Sequence, residues 1–154
     1  MTKNKFTIHT DGGSRGNPGP AAIGVVIEAL RQAQGKAETD WKKEYGEYIG
    51  ITTNNEAEYK AIIFALKKLK QLIGHDKAKT SEVEFKVDSE LLVKQMNYEY
   101  KIKDEGIQRL FLEAHNLKLD FGKVIFKHIF REKNESADKL LNQILDREDS
   151  KLKL

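Results

Sequence analysis

Four short segments of this 154-residue chain each carry an acid where packing alone rarely places one. They read Thr10-Asp11-Gly12-Gly13-Ser14-Arg15-Gly16-Asn17-Pro18-Gly19-Pro20, Thr52-Thr53-Asn54-Asn55-Glu56-Ala57-Glu58-Tyr59, Val87-Asp88-Ser89-Glu90 and Arg131-Glu132-Lys133-Asn134-Glu135-Ser136-Ala137-Asp138. Asp11 ends one β-run, Glu58 lies near a helix start, Asp88 ends a second β-run, and Asp138 sits in a late helix. Brought together, their carboxylates would form an oxygen-only site for a hard divalent cation such as Mg²⁺. Sites of that kind serve phosphoryl transfer.

Each acid also has an ordinary reading. Asp-Gly is a common turn former, which covers Asp11. Asp88 before Ser89 can cap a short helix. Glu58 can be a helix-start acid, but it lies one turn before Ile62 and extends a stripe of Ile62, Ala65, Leu66, Leu69 and Ile73. A carboxylate on that face is costly without a positive partner. Glu56 points the other way, toward solvent or the helix N-terminal dipole. Asp138 is past the capping position of its helix and stands beside Ala137 and Leu141. Four acids at one sheet end would repel each other unless cations offset them.

The glycine-rich segment lacks the Gly-Lys-Ser/Thr ending of a P-loop, and its spacing is not that of a dinucleotide loop. Glycine lets backbone approach a ligand closely, so its amides suit sugar hydroxyls and phosphates; the plain alternative is a tight loop bounded by Pro18 and Pro20. His9, His75, His115 and His128 have no paired metal-ligand spacing. His9 reads as packed on the sheet, whereas His128 is open among core, edge and functional roles.

The elements that must position these residues follow from periodicity. Strands are expected over Lys5–Asp11, Ala21–Leu30 and Trp41–Ile51, with Arg31–Asp40 as a turn around Gly35. A helix over Asn55–Ile73 is stopped by Gly74. A strand to Asp88, a short helix over Ser89–Tyr98, a polar linker, a helix from Asp104 to about Leu119, a strand over Lys123–Phe130 and a helix from Asn134 to about Arg147 complete the chain. The order implies an α/β fold: a five-stranded mixed sheet, an antiparallel meander followed by parallel strands, flanked by helices. Asp11 and Asp88 end two strands, where open sheets build sites. A single domain is expected over 1–148, with 149–154 as a frayed tail.

With 39% hydrophobic and 33% charged residues the composition is that of a globular protein. The absence of cysteine excludes disulfides and thiolate metal sites. The N-terminus has no apolar signal region, and no run approaches a membrane span, so a cytoplasmic protein is expected. Net charge is only +3, but 22 of the 27 cations are lysines. Lys60, Lys67, Lys68 and Lys70 form one cluster, and Lys101 and Lys103 another. They read equally as solvated faces or as loose, salt-sensitive phosphate contacts.

In order and spacing, the four motifs resemble type 1 ribonuclease H, from Phe6 to about Asp146. The resemblance implies the ribonuclease H-like fold and cleavage of the RNA strand of RNA–DNA hybrids, leaving 5′-phosphate and 3′-hydroxyl ends. It implies Asp11, Glu58, Asp88 and Asp138 as catalytic metal ligands for two Mg²⁺ ions, with Mn²⁺ able to substitute. It places Asn17, Asn54 and the backbone of Gly12 and Gly13 against the RNA strand, and Thr53 and Asn55 against a phosphate of the DNA strand. A monomer with no obligate protein partner is the expectation for this pattern, and primers and R-loops are its expected substrates.

Three departures separate this chain from many relatives. Glu90 stands where they carry a Gln that contacts the RNA; as a substrate-binding residue its carboxylate can accept from a hydroxyl but cannot donate. The segment from Tyr98 to Asp104 is too short for the basic handle of many bacterial relatives, which makes the pattern archaeal-like and leaves Lys101, Lys103 and the tyrosines as partial substitutes. Arg131 is expected where relatives often have a mobile histidine, with His128 as the alternative. Double-stranded RNA as a further substrate, another nuclease of the same fold, and a non-catalytic hybrid-binding module are the competing readings.

Overall fold

The computed structural model describes residues 4–152. It contains β1 (Asn4–Ser14), β2 (Gly19–Ala33), β3 (Lys36–Thr52), α1 (Asn54–Ile73), α2 (His75–Lys79), β4 (Ser81–Val87), α3 (Glu90–Met96), α4 (Glu105–Lys118), β5 (Lys123–His128), a 3₁₀ turn (Arg131–Lys133) and α5 (Glu135–Leu152). The sheet order is β3-β2-β1-β4-β5. The first three strands are antiparallel, and β4 and β5 run parallel to β1. This is the expected mixed sheet.

Alternation decides which helix covers which face. Phe6 and Ile8 of β1, with Ile23, Val25 and Ile27 of β2 and Phe85 of β4, join the buried stripe of α1 in the main core. The opposite face is covered in part by α5, where Ala22, Leu141 and Leu145 form a second, smaller cluster. Thr7 and His9 share that second face, and His9 borders a shallow cavity at the start of α5 with Glu135 and Ser136. His9 is accordingly only half-buried, and burial lowers its pKa.

Two glycines set how close the helices come. A Cβ on Gly12 would stand 2.4 Å from the Ala57 carbonyl group and 2.6 Å from the Glu58 amide nitrogen, so α1 lies directly on the end of β1. A Cβ on Gly24 would stand 2.0 Å from the Ala137 carbonyl oxygen. Gly24 pairs with Asp11 on one side and with Gly46 on the other. The row Asp11-Gly24-Gly46 is thus a shallow saddle beside the acid, and α5 rests in it.

Several expected boundaries move. Arg31–Asp40 is not a turn: β2 and β3 continue through it, pairing Leu30 with Thr39 and Ala33 with Lys36, and turn only at Gln34 and Gly35. The arm is largely solvated, so it lacks the apolar alternation that signals a strand. Gly74 ends α1 with φ 86°, and α2, which periodicity does not reveal, follows it. The last helix does not stop near Arg147 but continues to Leu152, held by ion pairs from Arg15 to Asp146 and Asp149. Residues 149–152 of the expected frayed tail are therefore helical, and Lys153 and Leu154 lie outside the described residues, as do Met1–Lys3. β5 ends at His128, two residues early, because Val87↔His128 is its last pair with β4.

The lysines of α1 are largely engaged within the fold. Lys67 pairs with Glu113 at 3.1 Å and Lys70 with Asp120 at 3.1 Å, tying α1 to α4 and the turn beyond it. Lys68 lies over the rings of Tyr45 and Phe64. Lys101 and Lys103 remain exposed. Among the described residues no helix is long and apolar enough to cross a membrane.

Candidate active site

The four acids come from four elements and face one cavity. β1 delivers Asp11, α1 delivers Glu58, Asp88 follows β4, and Asp138 sits in the first turn of α5. All four line an open cavity of about 510 Å³, together with Gly12, Gly13, Asn54 and Arg131. Asp11 and Asp88 are brought side by side because Thr10 pairs with Val87 in the parallel β1–β4 ladder.

The electrostatics record how crowded these groups are. Burial pushes the Asp11 carboxyl up to about 8, reinforced by the charges of Asp88, Asp138 and Glu58 and by a hydrogen bond shared with Asp138. Burial likewise raises Glu58 to about 7; the Ser89 hydroxyl, which donates to it, pulls in the opposite direction. The same hydroxyl accepts from the Leu92 amide at 3.2 Å, so Ser89, not Asp88, caps α3 and leaves Asp88 free to face the cavity. Asp88 is raised by burial, against the opposing pull of Asn134 and Arg131.

An oxygen-only donor set with this excess of negative charge fits a hard divalent cation. Among the described residues no three His, Cys, Asp or Glu side chains are already gathered at the spacing of a closed coordination shell. The acids share the cavity and the repulsion rather than a finished cage. Arg131 supplies positive charge at the rim, its Nη2 3.8 Å from Asp138 Oδ1. His128 does not line the cavity; its ring packs edge-on against Phe130. Arg131 is therefore the better placed of the two.

The remaining expected contacts divide. Gly12, Gly13 and Asn54 line the cavity; Asn17, Thr53, Asn55 and Glu90 do not. Asn17 Oδ1 accepts from the Asn54 amide at 3.0 Å, and Asn54 Oδ1 accepts from the Ser14 amide at 2.9 Å, so this pair first of all fastens the glycine loop to α1. Thr53 caps α1, its hydroxyl accepting from the Glu56 amide at 3.2 Å. Asn55 is exposed beside it. Glu90 is exposed and pairs with Lys94 at 3.0 Å.

Three further residues are not singled out by sequence reasoning. Asn134, one turn before Asp138, donates from Nδ2 to the Thr10 carbonyl oxygen at 2.8 Å and to Asp88 Oδ2 at 3.4 Å. Its own Oδ1 is buried without a hydrogen-bond partner. Asn142, one turn after Asp138, and Arg15 also border the acid. The available signal was the four-residue spacing of Asn134, Asp138 and Asn142, which stacks polar groups on one helix face.

Comparisons with known proteins agree with this geometry. The family model described as "Reverse transcriptase-like" matches residues 9–144. Ribonuclease HI of Halobacterium salinarum is 37% identical over 136 residues, covering 88% of this chain and 62% of that protein. A bifunctional protein of Mycobacterium tuberculosis is 34% identical over 142 residues, covering 92% of this chain but only 36% of its own length. The chain therefore spans between a third and two thirds of these relatives. Among solved structures, LC11-RNase H1 in complex with an RNA/DNA hybrid has 43% identity and a TM-score of 0.78, with 92% of this chain and 97% of that one covered. RNase H1 of Halobacterium salinarum has 34% identity and a TM-score of 0.78, with 93% and 98% covered. With the family model, the identities and the fold in agreement, the chain belongs to the type 1 ribonuclease H family.

Proposed function

We propose that this chain hydrolyses the RNA strand of RNA–DNA hybrids at internal phosphodiesters, leaving 5′-phosphate and 3′-hydroxyl ends. The observation that carries this reading is the convergence of Asp11, Glu58, Asp88 and Asp138, from four separate elements, on one open cavity. Family membership supports it, as does the relative whose structure holds an RNA/DNA hybrid.

Asp11, Glu58, Asp88 and Asp138 would hold two divalent ions, Mg²⁺ or Mn²⁺. When bound, such ions neutralise charge at the reacting phosphate and make water a competent nucleophile near neutral pH. The chain's own work is positional. Burial keeps Asp11 and Glu58 poised to exchange a proton for a cation. Arg131, at the rim beside Asp138, assists handling of the metal or the product phosphate. The backbone at Gly12 and Gly13 and the Asn54 side chain face the RNA strand, where the 2′-hydroxyl distinguishes RNA from DNA. Asn17 acts through Asn54. Thr53 and Asn55, at the start of α1, suit a phosphate of the DNA strand. Glu90, already paired with Lys94, contributes at the edge of the footprint. Recognition then follows duplex shape and hydroxyls, so cutting is nearly independent of sequence. The protein acts as a cytoplasmic monomer on primers and R-loops.

The test is incubation of the purified chain with an end-labelled RNA–DNA hybrid, with Mg²⁺ or with EDTA, beside double-stranded RNA and DNA of matched sequence. Metal-dependent internal cuts in the hybrid's RNA strand are expected. Cuts in double-stranded RNA as well would widen the substrate class. Binding of the hybrid without cleavage in either Mg²⁺ or Mn²⁺ would replace the enzyme reading with a hybrid-binding module.

A further inference from the structure

Asn142 bridges a catalytic acid and an arginine that comes from the other side of the cavity. Its Nδ2 donates to the Asp138 carbonyl oxygen at 2.9 Å and to Asp138 Oδ1 at 3.2 Å. The first bond is the ordinary bond of a polar side chain to the preceding helical turn; the second reaches the carboxylate itself. The Asn142 Oδ1 accepts from Arg15 Nη2 at 3.4 Å. The rest of the Arg15 fork is anchored on the distal turns of α5: Nη2 donates to Asp146 Oδ1 at 2.6 Å, and Nη1 donates to Asp149 Oδ2. Both Arg15 and Asn142 line the cavity that holds the acids.

An amide can present its oxygen to a guanidinium and its nitrogen to a carboxylate in one orientation only. Arg15, clamped by two carboxylates, therefore fixes which way the Asn142 amide lies. That orientation offers Asp138 a donor rather than a second acceptor. We propose that Asn142, oriented by Arg15, is a positioning residue that holds the Asp138 carboxylate toward the acids it must join, and that the distal turns of α5 take part in catalysis through it. The inference rests on the reading of Asp138 as a metal ligand given above. It explains why an arginine from the glycine loop is bound to the end of the last helix: the contact closes a chain from loop to acid.

The experiment compares Asn142→Ala, Asn142→Asp, Arg15→Ala, Arg15→Lys and the double alanine variant with the parent. One readout is the Mg²⁺ concentration that gives half of the full thermal stabilisation, measured without substrate. The other is kcat and KM on a hybrid. Groups that orient metal ligands are worth about 10-fold or more in affinity or activity. Asn142→Ala is expected to raise the Mg²⁺ midpoint and lower kcat by about that factor, with KM for the hybrid nearly unchanged. Asn142→Asp keeps the size and the acceptor for Arg15 but has no donor, and is expected to be at least as impaired. Arg15→Ala shifts both readouts in the same direction by less, and the double variant falls short of the summed effects because the two residues act in series. Arg15→Lys, which keeps the charge without the fork, recovers part of the loss. If Asn142→Ala and Asn142→Asp lower only the melting temperature in EDTA and leave the Mg²⁺ midpoint and kcat at parental values, the role is structural and the proposal is overturned. Should the parent fail to cut hybrid, the reading of function fails, while the Mg²⁺ midpoints still decide whether Asn142 positions Asp138.

Discussion

Replacing Asp11 by Asn should stabilise the ion-free protein while abolishing turnover. Asp11 is buried, and its carboxyl is pushed from 3.8 to about 8 by burial first and by its acidic neighbours next. A raised carboxyl pKa means that the folded state binds the proton more tightly than the unfolded chain does. The associated stability is fully present below pH 3.8 and is lost progressively as pH rises to about 8. Each pH unit inside that window costs up to ~1.4 kcal/mol, so the ceiling at pH 7 is ~4 kcal/mol. Relaxation of the open cavity and entry of water reduce this, and a net gain of ~1–2 kcal/mol for Asp11→Asn is the working figure. For a chain of this length that is a rise in Tm of ~2–8 °C. The assay is thermal unfolding of parent and variant in EDTA at pH 5 and pH 8, followed by circular dichroism. The variant should be more stable at pH 8, and the gap should shrink markedly at pH 5. A variant that is less stable than the parent at pH 8, or a gap that does not depend on pH, would refute the claim that Asp11 is held as a strained, cation-seeking acid.

Adding Mg²⁺ to the parent should reverse the same strain: at 100 times the dissociation constant the ion contributes ~2.7 kcal/mol of stability, and Asp11→Asn should lose most of that response in a melting titration. Gly24→Ala places a methyl group where the Ala137 carbonyl oxygen stands 2.0 Å away, so α5 must lift and carry Asp138 with it. A loss of ~1–3 kcal/mol by denaturant unfolding, together with a fall in kcat much larger than the change in KM, is expected. Arg131→Gln should reduce hybrid cleavage by about tenfold if the residue handles metal or product phosphate at the rim beside Asp138, whereas His128→Asn, outside the cavity, should change it by less than Arg131→Gln does; a reversed ranking in steady-state assays would reassign the role to His128. Thr53→Ala removes the cap of α1 and should cost ~1 kcal/mol of stability, with any additional loss of hybrid affinity read from salt-dependent binding.

The acids were legible in the sequence because chemistry and position coincide in them. Asp11 and Asp88 end apolar alternations, and Glu58 interrupts a stripe that otherwise demands apolar residues, so each violates a local rule at a place where a sheet builds sites. The antiparallel meander of the mixed sheet followed from the same alternation, since consecutive strands without an intervening helix usually pair as neighbours; the place of β4 beside β1 did not. What stayed hidden has physical causes. The hairpin arm from Arg31 to Asp40 is solvated and therefore carries no apolar period. The continuation of α5 past Arg147 depends on Asp146 and Asp149 meeting Arg15 from a loop more than 130 positions earlier, a pairing that no local pattern records. Asn17 and Thr53 are engaged in holding the loop and capping α1, so resemblance alone gives their neighbourhood but not their bonds.

The least visible contributors are residues that carry no functional group at all. An aspartate three residues before the end of β1 can be read as a candidate ligand, but nothing in its own motif says which helix will face it. That is decided by Gly24 and Gly46, its partners across the sheet, whose missing side chains let α5 sink into the saddle beside Asp11. Gly12 does the same for α1 at the strand end. An isolated glycine inside a strand weakens it and marks close approach of another backbone, so the sheet gives up side-chain packing where the acids must converge. Burial raises the carboxyls of Asp11 and Glu58, and the neighbouring acids add their repulsion to it. Both costs fall in the same small volume, and both are offset by packing and pairing around it: by the α1 stripe in the main core, by Leu141 and Leu145 against Ala22, and by the Arg15 clamp on the end of α5. A site built this way is strained at its acids and held by its walls, which is the arrangement a cavity must have if a cation is to be drawn in by the strain its arrival relieves.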